Sequence, residues 1–389
     1  MDMGVKIMVT CDTGFEEALL SELKDLVASE VLGVYSGRIF MEVPMGKDVA
    51  NVLRSRIANN LYILIHVEEN IADLSAIYKV IKGLDFTKVV EPWQTFAIRP
   101  ERIGQHSFTS IDIGKVAGQA VIDGYLEACG SRLKVNLDSP DVEIYVELNV
   151  DRLVVALSLT RSSFHVRGYK VFVHPAGLKP TIAFALLKIA SWSYGKPVVD
   201  PMCGGGTIVV EAALASKGLE VPCLSMEKIR LDILNKLYPE AVEVLKSMCK
   251  YGVREVDRVF VGVDINPRFV EGAIINAKNA GVDDATLFLV GDSRYVVPKI
   301  KSVEKEFGVV FDTAVFNPPY GYRMKPGSLR ELYMDILKML LDQGFRNIVF
   351  ITSATKVSEK VLENFNSVDI YRLKVVHGRL PSRVYRLRA

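Results

Sequence analysis

The stretch Phe311-Asp-Thr-Ala-Val-Phe-Asn317-Pro318-Pro319-Tyr320-Gly321 constrains this chain more than any other. Its apolar run is rich in β-forming residues and reads as a strand buried on both faces, as in parallel sheets. Two prolines cannot extend a hydrogen-bonded ladder, so the sheet stops at Asn317. One carboxamide and one aromatic ring are thereby placed at the carboxyl end of a strand, where open α/β sheets bind ligands. The group suits an amine. The side-chain oxygen of Asn317 and the carbonyl of Pro318 can both accept hydrogen bonds from one NH2 group, and Tyr320 offers a flat face to the ring that carries it. A strand-ending turn with a surface tyrosine is the plainer alternative.

Three earlier strand ends extend the pattern. A strand reaching Asp200 runs into Pro201-Met202-Cys203-Gly204-Gly205-Gly206-Thr207, with a helix expected over 208–217. Glycines belong where a backbone must come close to a ligand. The loop lacks the Lys-Ser/Thr of a phosphate-binding P-loop and the spacing of the dinucleotide fingerprint. A strand over 258–263 ends at Asp264-Ile265-Asn266, whose carboxylate can take two hydrogen bonds from ribose hydroxyls. Pro267 then opens a helix through 280 in the favoured first position. A strand over 285–290 ends in Gly291-Asp292-Ser293, an acid able to accept from an adenine amino group. The usual gap from glycine loop to acid is about 20 residues. Here residues 219–256 intervene with helical patterns and read as an inserted excursion. Strands and helices alternate onward to 346–352, and the chain closes on a hairpin over 368–387. That alternation implies a doubly wound α/β sheet.

The first 67 residues carry the order strand, helix, strand, strand, helix, strand of a ferredoxin-like α+β domain. They show no catalytic constellation, and that fold by itself says little about function. Beyond them, a strand over 95–99 is expected to give way to a polar loop holding Arg99 and Arg102. An amphipathic helix over 111–126 and a hairpin around Asn149-Val-Asp-Arg152 follow. From Arg152 to Val199 the chain has no Asp or Glu, while Arg152, Arg161, Arg167, Lys170, Lys179, Lys188 and Lys196 give it a formal charge of +7. Such a run is expected to form a phosphate track between domains. The closing segment from Ile370 also lacks acids, and Arg379 and Arg383 flank its turn. A solvated, aggregation-resistant sheet edge is the alternative there.

At 389 residues two or three domains are expected, and 49% hydrophobic residues suffice to build their cores. The net charge of +2 does not by itself select a nucleic-acid partner. The five cysteines are scattered, with no Cys-x-x-Cys pair, so neither a zinc site nor a disulfide framework is expected, and free thiols suit a reducing, cytoplasmic setting. No run approaches the ~20 apolar residues of a membrane span, and the first residues do not read as a signal peptide.

Asn317-Pro318-Pro319-Tyr320 resembles the active-site motif of S-adenosylmethionine-dependent amino methyltransferases. Asp200-Pro201-Met202-Cys203-Gly204-Gly205-Gly206-Thr207 is similar to the first motif of class I methyltransferases acting on nucleic-acid amines. The resemblance implies S-adenosylmethionine as cofactor. Its methionine half would lie on the loop from Pro201 to Thr207, and its ammonium on Asp200. Its ribose would lie at Asp264, Ile265 and Asn266, its adenine at Asp292 and Ser293, and its reactive end beside Asn317. Residues 68–160 resemble a THUMP domain, through the strand–arginine–loop–helix unit near Arg99 and Val135-Asn-Leu-Asp-Ser-Pro-Asp-Val142. Phe164-His-Val-Arg-Gly-Tyr-Lys170 resembles the linker that follows it in such enzymes. The whole is similar to tRNA guanine-N2 methyltransferases that modify the sixth nucleotide, in the acceptor stem. A related family acting at nucleotide ten carries Asp where this chain has Asn317, and ribosomal RNA guanine-N2 methyltransferases share the motif. The resemblance implies a ferredoxin-like domain over 1–67, a THUMP domain over 68–160, a basic linker over 161–180 and a class I, seven-stranded Rossmann-like domain over 181–389. It implies a monomer that binds tRNA by its acceptor stem and 3′ end, without membrane or metal. Arg99, Arg102, Arg161, Arg167, Lys170, Arg323, Arg379 and Arg383 would touch RNA. Asn317, Pro318 and Tyr320 would hold the amine. A non-catalytic RNA-binding protein with a vestigial cofactor pocket is the rival from another class.

Overall fold

A computed structural model describes residues 4–250, 252–257, 259–321, 326–378 and 380–389. Arg323 and Arg379, two of the expected RNA contacts, lie outside the described residues. Among the described residues the strands form two sheets. The first takes β1 (Val5–Thr10), β2 (Glu30–Tyr35), β3 (Arg38–Val43), β4 (Asn60–Glu68), β5 (Thr95–Ile103), β6 (Lys134–Val135), β7 (Val142–Asn149) and β8 (Arg152–Ser158). Their order is β2-β3-β1-β4-β8-β7-β5-β6. The alternating apolar residues of β1, with Ile7 and Val9 fully buried, face the helix Glu16–Leu26. Strands β4 and β8 pair antiparallel from Tyr62–Ser158 to Glu68–Leu153. The ferredoxin-like and THUMP-like parts are therefore two halves of one sheet.

β5 runs further than its composition suggests. It continues through Pro100 to Ile103, parallel to β7. Its other neighbour, β6, covers only Thr95 and Phe96, so Pro100 meets an open edge where no partner needs its missing N–H. The polar loop expected to start at Arg99 is thus strand, and Arg99 and Arg102, three residues apart, fall on opposite faces.

The second sheet takes β9 (Val198–Asp200), β10 (Phe260–Asp264), β11 (Thr286–Val290), β12 (Thr313–Phe316), β13 (Asn347–Thr352), β14 (Asp369–His377) and β15 (Leu380–Arg388). Their order is β11-β10-β9-β12-β13-β15-β14, with β9 to β13 parallel and β15 antiparallel to both its neighbours. This is the doubly wound α/β sheet the alternating pattern implied, and its seven strands match the number the resemblance implied. Chain order reverses between β9 and β12, which lie side by side at Val199 and Ala314. A crevice opens at such a switch point, at the carboxyl ends of the strands.

Residues 219–256 do form an excursion, with helices Val221–Leu224, Leu231–Leu237 and Pro239–Met248. The expectation of five free thiols is corrected here. Cys223 and Cys249 are disulfide-bonded, with Cα atoms 5.3 Å apart. The helices fold back and bring together two cysteines 26 residues apart, which local spacing could not show. The cysteine count therefore no longer speaks for a reducing compartment. The excursion also clasps the first sheet. Buried Arg230 pairs with Glu143 at 2.9 Å and donates to the carbonyls of Pro140 and Asp141. Among the described residues no helix is long and apolar enough to cross a membrane, and no group of three or more His, Cys, Asp or Glu could hold a metal.

Candidate active site

The four expected strand ends meet at the switch point. Asp200 closes β9 and is buried at 2% exposure, with its Oδ1 accepting from the Met202 N–H at 3.0 Å. Burial pushes its carboxyl well above the usual range, and the nearby charge of Asp264 adds to this. Asp264 closes β10. Its Oδ2 accepts from Gly204 N at 3.0 Å and its Oδ1 from Asn266 N at 2.9 Å. The carboxylate is thereby oriented by the glycine loop itself, and each oxygen keeps a lone pair for a further donor. Asn266 caps the helix Pro267–Ala280 through Arg268 N. Ile265 is 70% exposed, an isoleucine laid open beside the two acids. Asp292 caps the helix Ser293–Phe307 and is gripped by Arg294, whose hydrogen bonds hold its carboxyl below the usual range. Ser293 is buried and donates to the Pro201 carbonyl, so its hydroxyl ties the loop after β11 to the glycine loop and does not face a ligand.

The glycine loop is required for packing as well as access. Gly206 sits at φ +76°, and a Cβ there would meet Ala273 Cβ and Phe288 at 2.9 Å. Pro201, Cys203, Gly204, Gly206 and Thr207 are buried, and Met202 is half-buried. A strip of the linker covers the loop. Phe172 N donates to Asn276 Oδ1 at 2.9 Å, and Asn276 Nδ2 donates to the carbonyls of Phe172 and Gly205. His174 packs edge-on against Phe269, its ring within 3.4 Å of where a Gly204 Cβ would lie.

The same strip reaches Asn317. The Asn317 Nδ2 donates to the Ala176 carbonyl at 3.2 Å, and its Oδ1 accepts from the Tyr320 hydroxyl at 2.8 Å. Asn317 is half-buried, next to the glycine loop along the strip, and its amide oxygen is the end turned away from that strip. Pro318 is buried. Tyr320 also meets His377 Nδ1, at 3.0 Å. Beyond Tyr320 lies a cleft of ≈ 370 Å³ between Gly321, Leu329 and residues 353–357. His174, Ala176, Asn276 and His377 were not legible in the sequence as site residues. The one signal among them was His174, a histidine standing in the acid-free run, and lone histidines are more often structural.

The basic residues meet a different fate. Arg167 is corrected from RNA contact to interior strut. Its side chain is 1% exposed, and its Nε pairs with the buried Glu211 at 3.2 Å, which also accepts from Tyr169. Lys170 is half-buried and donates to the Leu178 carbonyl at 2.5 Å, so it fastens the linker and is not free for phosphate. Lys179 pairs with Asp12 at 2.6 Å, and Lys188 with Asp25. Arg161 pairs with Asp232 at 3.1 Å, and Arg152 lies over the Tyr35 ring at 3.8 Å. The expected phosphate track is thus largely neutralised by acids from elsewhere in the chain. Arg99 pairs with Glu143, Arg102 donates to the Gly104 carbonyl, and Arg383 pairs with Glu359.

This donor set suits S-adenosylmethionine. Asp264 is preset to accept from a diol, Ile265 offers an apolar face, Asp292 offers an acceptor, and Asp200 can supply a charge against an ammonium.

Comparison with known proteins agrees. Residues 167–383 match the RMKL-like methyltransferase domain and residues 71–158 match the THUMP domain. The tRNA (guanine(6)-N2)-methyltransferase of Methanocaldococcus jannaschii is 34% identical over 97% of this chain and 98% of its own length. The protein of the same name from Archaeoglobus fulgidus is 33% identical over 98% of this chain and 91% of its own. The crystal structure of SMU.472 complexed with SAH superposes with a TM-score of 0.78 at 18% identity, covering 100% of this chain and 99% of that one.

Proposed function

The chain belongs to the THUMP-containing methyltransferases with an RMKL-like catalytic domain, and from that premise we propose that it methylates the exocyclic N2 amine of a guanosine in the tRNA acceptor stem, nucleotide six. One observation carries the reading. The Asn317 amide stands at the switch point beside the glycine loop, and its NH2 is anchored on the Ala176 carbonyl, so that an acceptor oxygen is presented. An oxygen in that place suits a substrate amine, which has protons to donate.

The amine of guanine is a weak nucleophile because its lone pair is delocalised into the ring. Asn317 Oδ1 and the Pro318 carbonyl hold its two protons and turn the lone pair out of the ring plane. This is positioning, and no strong base is needed before attack, because the positively charged methylated amine loses its extra proton afterwards. A paired guanosine must leave its stack to reach the site, and Tyr320 receives the displaced ring. S-adenosylmethionine, when bound, supplies an electrophilic methyl group on its sulfonium. Asp264 and Ile265 hold its ribose and adenine side, and Asp292 accepts from the adenine amine by sharing its oxygens with Arg294. Asp200 takes the ammonium, and must be ionised to do so. The substrate's phosphates fall to the exposed Arg161 and to Arg99, half-buried on one face of β5, each exchanging its acidic partner for phosphate, and the THUMP half takes the 3′ end. The enzyme works in the cytoplasm, where its substrate is.

Incubating the protein with undermodified bulk tRNA and methyl-labelled cofactor, then identifying the labelled nucleoside, tests this. N2-methylguanosine at nucleotide six is expected. Label in N6-methyladenosine or N4-methylcytidine would overturn it.

A further inference from the structure

We propose that His377 is a positioning residue for methyl transfer, acting through the Tyr320 hydroxyl on the amide oxygen of Asn317. This rests on the reading of Asn317 as the group that holds the substrate amine.

The argument is one of proton accounting. The Tyr320 hydroxyl has a single proton, and among the described residues it meets Asn317 Oδ1 at 2.8 Å and His377 Nδ1 at 3.0 Å. Asn317 Nδ2 lies on the Ala176 carbonyl, which accepts only, so the atom facing Tyr320 is the amide oxygen. Two oxygens at that separation need a proton between them, and only tyrosine can supply it. The hydroxyl proton is therefore committed to Asn317, and His377 must donate to tyrosine from Nδ1. The result is a directed chain, Nδ1–H to hydroxyl to amide oxygen. It fixes which end of the amide is oxygen and leaves that oxygen a second lone pair for the substrate amine. The imidazole meets the tyrosine ring edge-on, with centroids 6.4 Å apart and planes at 87°.

His377 is itself held from outside the catalytic sheet. It ends β14, and the preceding residue, Val376, donates its N–H to the Thr13 carbonyl at 2.9 Å. Gly14 beside it allows the approach, because a Cβ there would stand 2.4 Å from the Lys374 carbonyl oxygen. The turn after β1, in the half of the molecule that showed no catalytic constellation, thus braces the strand end that aims the histidine.

A double-mutant cycle tests the chain, with tRNA methylation, cofactor affinity and thermal midpoint measured for each variant. His377→Ala and Tyr320→Phe each lower kcat by about tenfold, the effect of losing one aligned hydrogen bond. The pair together lowers it no further, since both break one chain. His377→Asn, whose amide can place an N–H near the same point, recovers most of the loss. Cofactor affinity does not move. If His377→Ala unfolds the protein, His377→Phe, which keeps a ring but has no N–H to donate, takes its place in the cycle with Tyr320→Phe, and the same coupling must appear. Independent, multiplying losses would overturn the proposal, as would a His377→Asn no better than His377→Ala. If the unaltered enzyme transfers no methyl group to tRNA, the functional reading fails first.

Discussion

The carboxyl edge of the second sheet and the acid-free run from 152 to 199 were equally conspicuous in the sequence, but they folded to different ends. At the sheet edge the singled-out strand ends sit where their neighbours in sequence implied, with Ser293 the exception, its hydroxyl turned to the Pro201 carbonyl. Asp200, Asp264, Asp292 and Asn317 close four adjacent parallel strands. In the basic run, Arg167 went to the interior, and Lys170, Lys179 and Lys188 found partners on distant segments. A strand end is fixed by the residues beside it, whereas a charge is fixed by whatever the fold brings opposite. Local pattern therefore reports backbone geometry well and surface electrostatics poorly.

The comparison can be broken most directly at Asn317. Asn317→Ala is expected to lower turnover about a thousandfold, on the scale of losing a preorganised transition-state hydrogen bond, while cofactor affinity persists. Calorimetric titration checks the second half, and loss of both together would show that the amide holds the loop and not the amine. On the other side, Arg167→Ala should cost about 3 kcal/mol of stability, because it leaves the buried Glu211 with only the longer pair to Arg56 at 3.9 Å and the Tyr169 hydroxyl. Urea unfolding measures this. A variant of normal stability and weakened RNA binding would restore the surface reading of the run.

Asp264→Ala sharpens the cofactor half. Removing an acceptor braced by two backbone N–H groups should weaken cofactor binding about tenfold to a hundredfold, read by equilibrium titration. The smallest effect concerns pH. Burial lowers the pKa values of His165, His174 and His377, which lie in or against the linker strip and the β14 end. The unfolded chain then binds more protons than the folded one as pH falls below the ordinary histidine value of about 6.5. Stability is full above that pH and declines as pH drops toward the folded values. Thermal midpoints measured at successive pH values should fall on the acid side, and His377→Asn should flatten the slope.

The topology of the second half was legible because its signals are short-range: β-branched runs, glycine turns and prolines that cannot sit in a ladder. The helix Pro267–Ala280 has the bounds expected of it, opening on Pro267. β5 overran its expected end because the openness of its far edge at Pro100 depends on how short β6 is. The Cys223–Cys249 bond and the clasp of Arg230 on Glu143 join segments whose proximity is created by the excursion folding back. His377 was invisible as a site residue because 57 residues separate it from Tyr320.

From its order of residues alone the chain settled a largely parallel sheet with acids and an amide at its carboxyl edge, since each depends on a few neighbouring dihedral angles and side chains. Only the three-dimensional packing settled which arginines are struts, which cysteines are joined, and that a turn near the amino terminus steadies the histidine behind Tyr320. Those outcomes depend on contacts between remote segments, and no local preference encodes which remote partner will arrive.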